Sequence, residues 1–384
     1  MSFDTVRVGI VGAGNRGQQH ASEYERVDSA EIAAVADIDE EAATALAREH
    51  GTERVYTDYR EMLDDAAIDA ISVCVHNNLH APVSIDALEA GKHVFCEKPM
   101  AGSYADARRM SEAAKTNNRQ LGVQNVRLFE PETTAAERLI SRGKLGDIAY
   151  ARSVFNRRRG RPYIDGYGTP SFVHERTAGG GAVFDIGTYV IGRMLLLLGN
   201  PPVERITGQT WNFTDDQLSE EMVGDNADTY HSRLDETDYS LEDCGVGTVR
   251  LGDGTRLDVH TAWHTYAPDE PEYVAGSTGS VQLDPFEFRT TIDDYEATVD
   301  LDLENYEARH GLLESETGYD IGERLNQFDH WIQTLCGAVD PVPTGEIALR
   351  SMLIMEGIYL SEKAGRELSA EEVAERSEST AMEP

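Results

Sequence analysis

The chain has 384 residues, 40% of them hydrophobic, and carries 34 Lys+Arg against 69 Asp+Glu for a formal charge of −35. That length implies roughly two or three domains with material for real cores, which excludes wholesale disorder. The charge excludes nucleic acid and an anionic membrane surface as partners, because both need a basic footprint.

Short apolar runs alternate with helical patterns through the first third. Val6–Val11, Ile32–Asp37, Ala70–Val75 and His93–Cys96 have strand length and are mostly non-alternating, with helices expected around Gln18–Val27, Glu40–Glu49, Pro82–Ala90 and Tyr104–Thr116. Buried strands alternating with helices predict a parallel doubly wound sheet, closed by a strand near Gln120–Gln124. A helix over Pro131–Arg142 and a strand over Ile148–Asn156 follow, then a loop rich in Arg, Gly and Pro, and one apolar helix from Ala182 to Leu198. That helix is too short to span a bilayer. Between 203 and about 305, runs such as Gly247–Leu251, Arg256–Thr265 and Ser280–Leu283 alternate, the period of antiparallel strands. Asp215–Asp243 is an acidic stretch expected to form a long loop, and helices are expected over Glu323–Cys336 and Glu346–Lys363. The polar, acidic residues 369–384 are expected to be a flexible tail. The domain reading is 1–125, 126–368 and the tail 369–384.

Cys74, Cys96, Cys244 and Cys336 are widely spaced and without a C-x-x-C pair, so they read as reduced thiols and neither a disulfide frame nor a zinc site. With no signal-peptide pattern before the first strand, the expectation is a cytoplasmic protein. Only Lys92, Lys98, Lys115, Lys144 and Lys363 are lysines. A carboxylate-rich, lysine-poor balance looks like the proteome of a salt-in halophile, where salt screens self-repulsion.

Directly after the first strand stands Gly12-Ala13-Gly14-Asn15-Arg16-Gly17, a G-x-G-x-x-G opening a helix, with Asp37 at the end of the second strand. Gly12 permits the tight turn, Gly14 lets the backbone approach a pyrophosphate, and Gly17 allows close helix–strand packing. The helix N-terminus offers free N–H groups to phosphates. Asp37 would accept from the adenosine ribose and repel a 2′-phosphate. NAD is therefore favoured over NADP, and Arg16 is the residue that could serve NADP instead.

Glu97-Lys98-Pro99 ends the strand that begins at His93, where ligands of doubly wound sheets bind. A lysine there can hydrogen-bond a substrate hydroxyl and stabilise a developing alkoxide. Further on, Gly179-Gly180-Gly181 precedes a helix bearing Asp185 and Tyr189, four apart and so on one face of an otherwise apolar helix. Structural roles, a capping aspartate and a core tyrosine, are the competing explanation.

Taken together, the G-x-G-x-x-G, the Glu-Lys-Pro and the glycine-rich Asp-x-Gly-x-Tyr helix resemble the glucose–fructose oxidoreductase/inositol dehydrogenase (Gfo/Idh/MocA) family. Asn78-Leu79-His80-Ala81-Pro82 is similar to the family as well. The resemblance runs from about Val6 to Leu368. It implies an N-terminal Rossmann domain and a C-terminal α/β domain with a large, mostly antiparallel open sheet, through which a homodimer or homotetramer would form. It implies an oxidoreductase that moves a hydride between NAD(P) and a sugar or cyclitol hydroxyl. By position, Lys98 is the motif lysine and Asp185 the substrate-binding aspartate. Tyr189 stands where many members have the acid/base histidine. A tyrosine titrates near 10, so it needs a cation such as Lys98 to act as base. A second departure is His76 where many members have proline.

The predicted cofactor site thus comprises Gly12, Gly14, Asn15, Arg16, Gly17, Asp37, Asn78, His80, Glu97 and Lys98, and the catalytic residues are Lys98, Asp185 and Tyr189. Substrate is expected at Lys98, Arg158, His174, Asp185 and Tyr189. Arg158 belongs to the one basic cluster, Arg157–Arg161. No metal is expected; Asp258, His260 and His264 read as a polar sheet face. Two other readings remain open at this point: an enzyme that retains its NAD and uses transient oxidation, and a non-catalytic sugar sensor on the same scaffold.

Overall fold

The structure, a computed structural model, describes residues 3–166, 168–213, 233, 239–268, 270–303 and 326–384. Most of the expected acidic loop Asp215–Asp243, and residues 323–325 of an expected helix, lie outside the described residues. The first sheet is built from β1 (Val6–Val11), β2 (Ala30–Ala36), β3 (Val55–Tyr56), β4 (Ala70–Val73), β5 (His93–Cys96) and β6 (Leu121–Val123). The strands are parallel and run in the order β3-β2-β1-β4-β5-β6. The helices between them are α1 (Asn15–Tyr24), α2 (Glu40–Glu49), α3 (Tyr59–Leu63), α4 (Asn77–Glu89) and α5 (Tyr104–Asn117). Their ends follow local chemistry. The Asp39 carboxylate caps α2 by accepting from the N–H groups of Glu41 and Ala42, Ser103 caps α5, and Asn118 ends α5 in the left-handed region.

Helix α6 (Pro131–Ser141) leads into the second sheet, whose strands are β7 (Ile148–Asn156), β8 (Val203–Trp211), β9 (Cys244–Leu251), β10 (Arg256–Ala262), β11 (Tyr273–Gly276), β12 (Gly279–Leu283), β13 (Phe286–Ile292), β14 (Tyr295–Val299) and β15 (Leu368–Ser369). Their order is β14-β13-β12-β11-β7-β10-β9-β8-β15, antiparallel except for the β7–β10 pair. Between β7 and β8 lie α7 (Glu175–Ala178), α8 (Ala182–Asp185) and α9 (Gly187–Leu197); among the described residues, α10 (Gln327–Cys336), α11 (Thr344–Ala364) and α12 (Ala370–Arg376) follow β14. The fold class expected from the sequence is therefore present: a parallel Rossmann sheet and a large, mostly antiparallel one. Helix α11 joins them, packing on β8 and α9 of one side and on α5 and β6 of the other. Its approach to the second sheet depends on missing side chains. A Cβ on Gly208 would lie 2.7 Å from Ile358, and one on Gly247 would lie 2.8 Å from it.

Two expectations are corrected. The helix expected over Ala182–Leu198 is broken at Ile186. In a continuous helix the Tyr189 N–H would bond the Asp185 carbonyl. Here that carbonyl accepts from Lys98 Nζ at 3.1 Å, and Tyr189 N turns to Ile186 O at 3.3 Å. The second correction is the flexible tail. Ser369 and Glu372 form a reciprocal capping box that starts α12, and residues 377–382 then lie across the Rossmann domain. The tail is polar because its groups bond buried polar partners there. No helix among the described residues is long and apolar enough to cross a membrane.

With a formal charge of −35 spread over one folded chain, self-repulsion opposes compaction and added salt screens it. The thermal midpoint is expected to climb steadily with KCl from millimolar to molar concentration. A midpoint indifferent to KCl would show that the carboxylates are compensated locally.

Candidate active site

The glycine turn after β1 is packed as tightly as its motif requires. Gly12 has φ +101°, and a Cβ there would sit 2.4 Å from the Cys74 carbonyl; one on Gly17 would sit 1.8 Å from Gly12 O. Gly14 differs: a Cβ on it would meet nothing within 4 Å. The turn is closed on the protein side and open toward the crevice, and α1 begins there with no side-chain cap. An anionic pyrophosphate fits this arrangement. Asp37 braces the turn, accepting from Ala13 N at 2.6 Å and from Asp39 N at 2.9 Å. Ile38 beside it is 95% exposed. Arg16 leans the other way, with its Nε 3.9 Å from Glu97 and Nη1 donating to Gln19.

Just past the end of β5, Lys98 meets Asp185 at the end of α8. Lys98 Nζ donates to Asp185 Oδ1 at 2.5 Å and to the Asp185 carbonyl, and it lies 4.9 Å from the Tyr189 ring centre and 5.8 Å from that of Phe172. Both side chains are largely buried. Burial favours the neutral form of each, but their attraction outweighs it. Asp185 is held below the usual carboxylate range, and Lys98 above the usual lysine range. Trp263, fully buried just past β10, donates its indole N–H to Asp185 Oδ2 at 2.8 Å. Beneath α8 the Glu242 carboxylate accepts from Gly181 N and Val183 N and from the Tyr359 hydroxyl. Burial raises Glu242 to about 7 despite these donors.

Lys98 is also held from its own strand. Glu97 Oε2 accepts from Lys98 N at 3.0 Å, and Glu97 Oε1 pairs with His20 Nε2 at 2.9 Å, while His20 Nδ1 meets Ser72 Oγ. Burial opposes both charges. It is outweighed at His20 by Cys74 and Glu97, which raise the imidazole to about 10, and at Glu97 by His20, Arg16 and Lys98, which lower the carboxyl to about 2.

Lys98, Asp185 and Tyr189 are thus brought together, and other predicted residues are used differently. Glu97, His80 and Asn78, expected at the cofactor, are buried with their polar atoms engaged inside the protein. His80 bonds the carbonyls of Pro99 and Val75, and Asn78 meets the segment after α12. Arg158 is exposed, its carbonyl accepting from His264. Its neighbour Arg157 stacks on Phe155 at 5.0 Å and adds a positive charge near Asp185. The carbonyl of His174 caps α7, accepting from Thr177 and Ala178. Asp258 and His260 engage polar neighbours on the second sheet, whereas His264 lies past the end of β10. Sequence reasoning missed His20, Trp263, Glu242 and Asn125, whose amide bonds the carbonyls of Thr188 and Tyr189. For Trp263 a signal existed: an indole at the end of an alternating strand, on the site's side of the sheet.

Two family models match the chain: "Oxidoreductase family, NAD-binding Rossmann fold" over residues 6–125 and "GFO/IDH/MocA C-terminal domain" over residues 133–282. The D-glucoside 3-dehydrogenase of Escherichia coli K12 is 31% identical over 264 residues, covering 68% of this chain and 72% of that protein. The myo-inositol 2-dehydrogenase of Thermotoga maritima is 29% identical over 49% of this chain and 55% of its own length. A levoglucosan dehydrogenase solved with NADH and levoglucosan superposes with a TM-score of 0.73 at 19% identity, over 95% of this chain and 99% of that one.

The His20–Glu97 pair has a signed pH dependence. His20 is raised, so its stabilisation is complete below about pH 6.5 and fades as the pH climbs toward about 10; that of Glu97, which is lowered, is complete above about pH 4.5 and is lost toward about 2. His20→Leu strands a buried carboxylate and is expected to cost about 3–5 kcal/mol near pH 6. In thermal unfolding, the gap between wild type and variant should shrink on the alkaline side. A gap that stays constant to alkaline pH would show that His20 acts as a neutral ring.

Proposed function

The chain belongs to the Gfo/Idh/MocA oxidoreductase family, an NAD-binding one, and we propose that it oxidises a hydroxyl of a sugar or cyclitol. The observation that carries this reading is the buried Lys98–Asp185 pair beside Tyr189, past the end of β5 in the sheet whose first turn is the glycine turn. Its relatives named for glucoside and inositol dehydrogenation support the substrate class. NAD, when bound, supplies the hydride acceptor. The glycine turn and the α1 N-terminus would hold its pyrophosphate, Asp37 its adenosine ribose, and Ile38 offers an apolar face beside that ribose. Arg16, placed between Glu97 and Gln19, supports NAD over NADP.

The roles follow from donor counting. An ammonium has three N–H donors. Asp185 takes two from Lys98, through its carboxylate and its carbonyl, which leaves one for a substrate hydroxyl. With its pKa raised, Lys98 stays charged and so stabilises the alkoxide that develops as the hydride leaves, without acting as the base. Asp185, ionised and fixed by Trp263, accepts from a neighbouring substrate hydroxyl and orients the ring. Tyr189, with the Lys98 cation against its ring, would take the hydroxyl proton on its phenolate oxygen, becoming the neutral phenol as the alkoxide gives up its hydride.

Nicotinamide absorbance, followed with NAD or NADP against pentoses, hexoses, uronic acids and inositols in high KCl, tests this. Saturable NAD reduction by one substrate class is expected. Tyr189→Phe should lower kcat by about 10²–10⁴ and Lys98→Met by about 10²–10³, with NAD binding kept. Silence across the panel would overturn the reading, and a Tyr189→Phe enzyme of normal kcat would remove Tyr189 as the proton acceptor.

A further inference from the structure

The first turn of α4 is a junction between three segments distant in sequence. Asn77 Nδ2 donates to the Ala178 carbonyl, just before the triple glycine that leads to Asp185. His80 bonds the Pro99 carbonyl, next to Lys98. Asn78 receives the segment after α12: its carbonyl accepts from Met382 N at 3.0 Å, and its Oδ1 accepts from the Thr380 hydroxyl at 3.1 Å.

That segment is fastened at two further points. Ser377 Oγ donates to Glu356 and accepts from Ala105 N. The Asp106 carboxylate, 1% exposed in the first turn of α5, accepts from Ser379 Oγ at 2.6 Å, Thr380 N at 2.9 Å and Ala381 N at 3.1 Å. Hydrogen bonds to a buried carboxylate are of the strong, charge-assisted kind. Between these anchors lies Gly102, where the packing is closest. A Cβ on Gly102 would sit 1.8 Å from Asn78 Oδ1 and 2.4 Å from Thr380 Oγ1, and a Cβ on Gly179 would sit 2.8 Å from Gly102 O. Thr380, Gly102 and Gly179 therefore form one continuous stack. Gly102 lies four residues beyond Lys98, and Gly179 six residues before Asp185.

We propose that residues 377–382 are a positioning strap for the active site. By bonding Asp106 and Asn78, the strap seats Gly102 against Gly179, and so sets the spacing at which Lys98 reaches Asp185. None of its residues touches Lys98, Asp185 or Tyr189 among the described contacts; the strap acts through the two loops that carry them. This inference rests on the catalytic reading of Lys98 and Asp185 for its effect on turnover, but not for its effect on the loops.

The test uses the full chain. Thr380→Pro combined with Ala381→Pro removes both main-chain donors to Asp106, Asp106→Asn weakens the same bonds while keeping the shape, and Thr380→Ser is the conservative control. Hydrogen exchange read by mass spectrometry should quicken about tenfold in peptides over 98–105 and 178–185 and stay unchanged over 246–262 in the second sheet. With the substrate found in the panel, kcat should fall about tenfold and KM shift less than about threefold, because misplacing a reacting pair costs turnover more than binding. The serine control should keep both readouts at the wild-type level. If the double-proline chain fails to fold, Asp106→Asn carries the same expectations at smaller amplitude. Unchanged exchange at both loops would overturn the strap, as would loosening that extends equally to 246–262. If the wild type oxidises no sugar, the catalytic reading fails alone, and the exchange experiment still decides the strap.

Discussion

The site is arranged around one ion pair, Lys98 with Asp185, formed between the end of β5 in the first sheet and helix α8 of the second domain. Removing two charges from water is costly, and the pair is stable only where further hydrogen bonds complete it. The structure supplies them from both sides. Trp263 takes the second Asp185 oxygen, and the Asp185 carbonyl takes a second Lys98 proton, at the expense of a helical hydrogen bond. The lysine backbone is bound by Glu97, whose own charge is balanced by His20 deep under β4. Remove the pair and the break at Ile186, the buried glutamate and the indole at the sheet end all lose their reason.

Such a pair needs its two domains in fixed register, and here register comes from backbone approach more than from side-chain bulk. Gly12 and Gly17 bring α1 onto β1, Gly208 and Gly247 admit Ile358 of α11 onto the second sheet, and Gly102 meets Gly179 across the domain seam. Where two main chains touch, neither surface can slide without breaking hydrogen bonds, so position is defined more finely than by an apolar interface of longer side chains. The seam is also polar at its critical points: Asn77, Asn78 and Asn125 each bind main-chain atoms of the opposing segment.

What could be read in advance divides along the same line. The Rossmann motif is local, because a turn, a helix start and a strand-end aspartate fall within 37 residues of sequence, and periodicity identifies the strands around it. Lys98, Asp185 and Tyr189 were legible because polar groups in apolar settings need a reason. Residues whose role is to bond another element carry no such mark. His20 is one more residue of an amphipathic helix until Glu97 is placed beside it, and Glu242 lies within an acidic stretch that masks it. Arg157 and Arg158 differ only in which way a strand end points, information that a basic run does not hold. The tail misled for a related reason: its composition is that of a disordered segment, and only Asp106 and Asn78, far away in sequence, give its donors their partners.

The lysine shortage becomes informative once the fold is known. A chain with 29 arginines and five lysines uses arginine almost everywhere a surface cation serves. Two of the five lysines are buried. Lys92 donates to the carbonyls of Asp65 and Ile68, and Lys98 to the carbonyl and carboxylate of Asp185. Both tasks need a compact group whose donors diverge in three directions, and a planar guanidinium fork cannot meet carbonyls so placed. At Lys98 the compactness matters twice, because the charge must reach Asp185 and still leave a proton for a third partner. Lysine thus stands at two buried positions where a guanidinium would not fit, and in a molecule of net charge −35 Arg16 and Arg157 add positive charge that helps offset the buried carboxylates of Glu97 and Asp185.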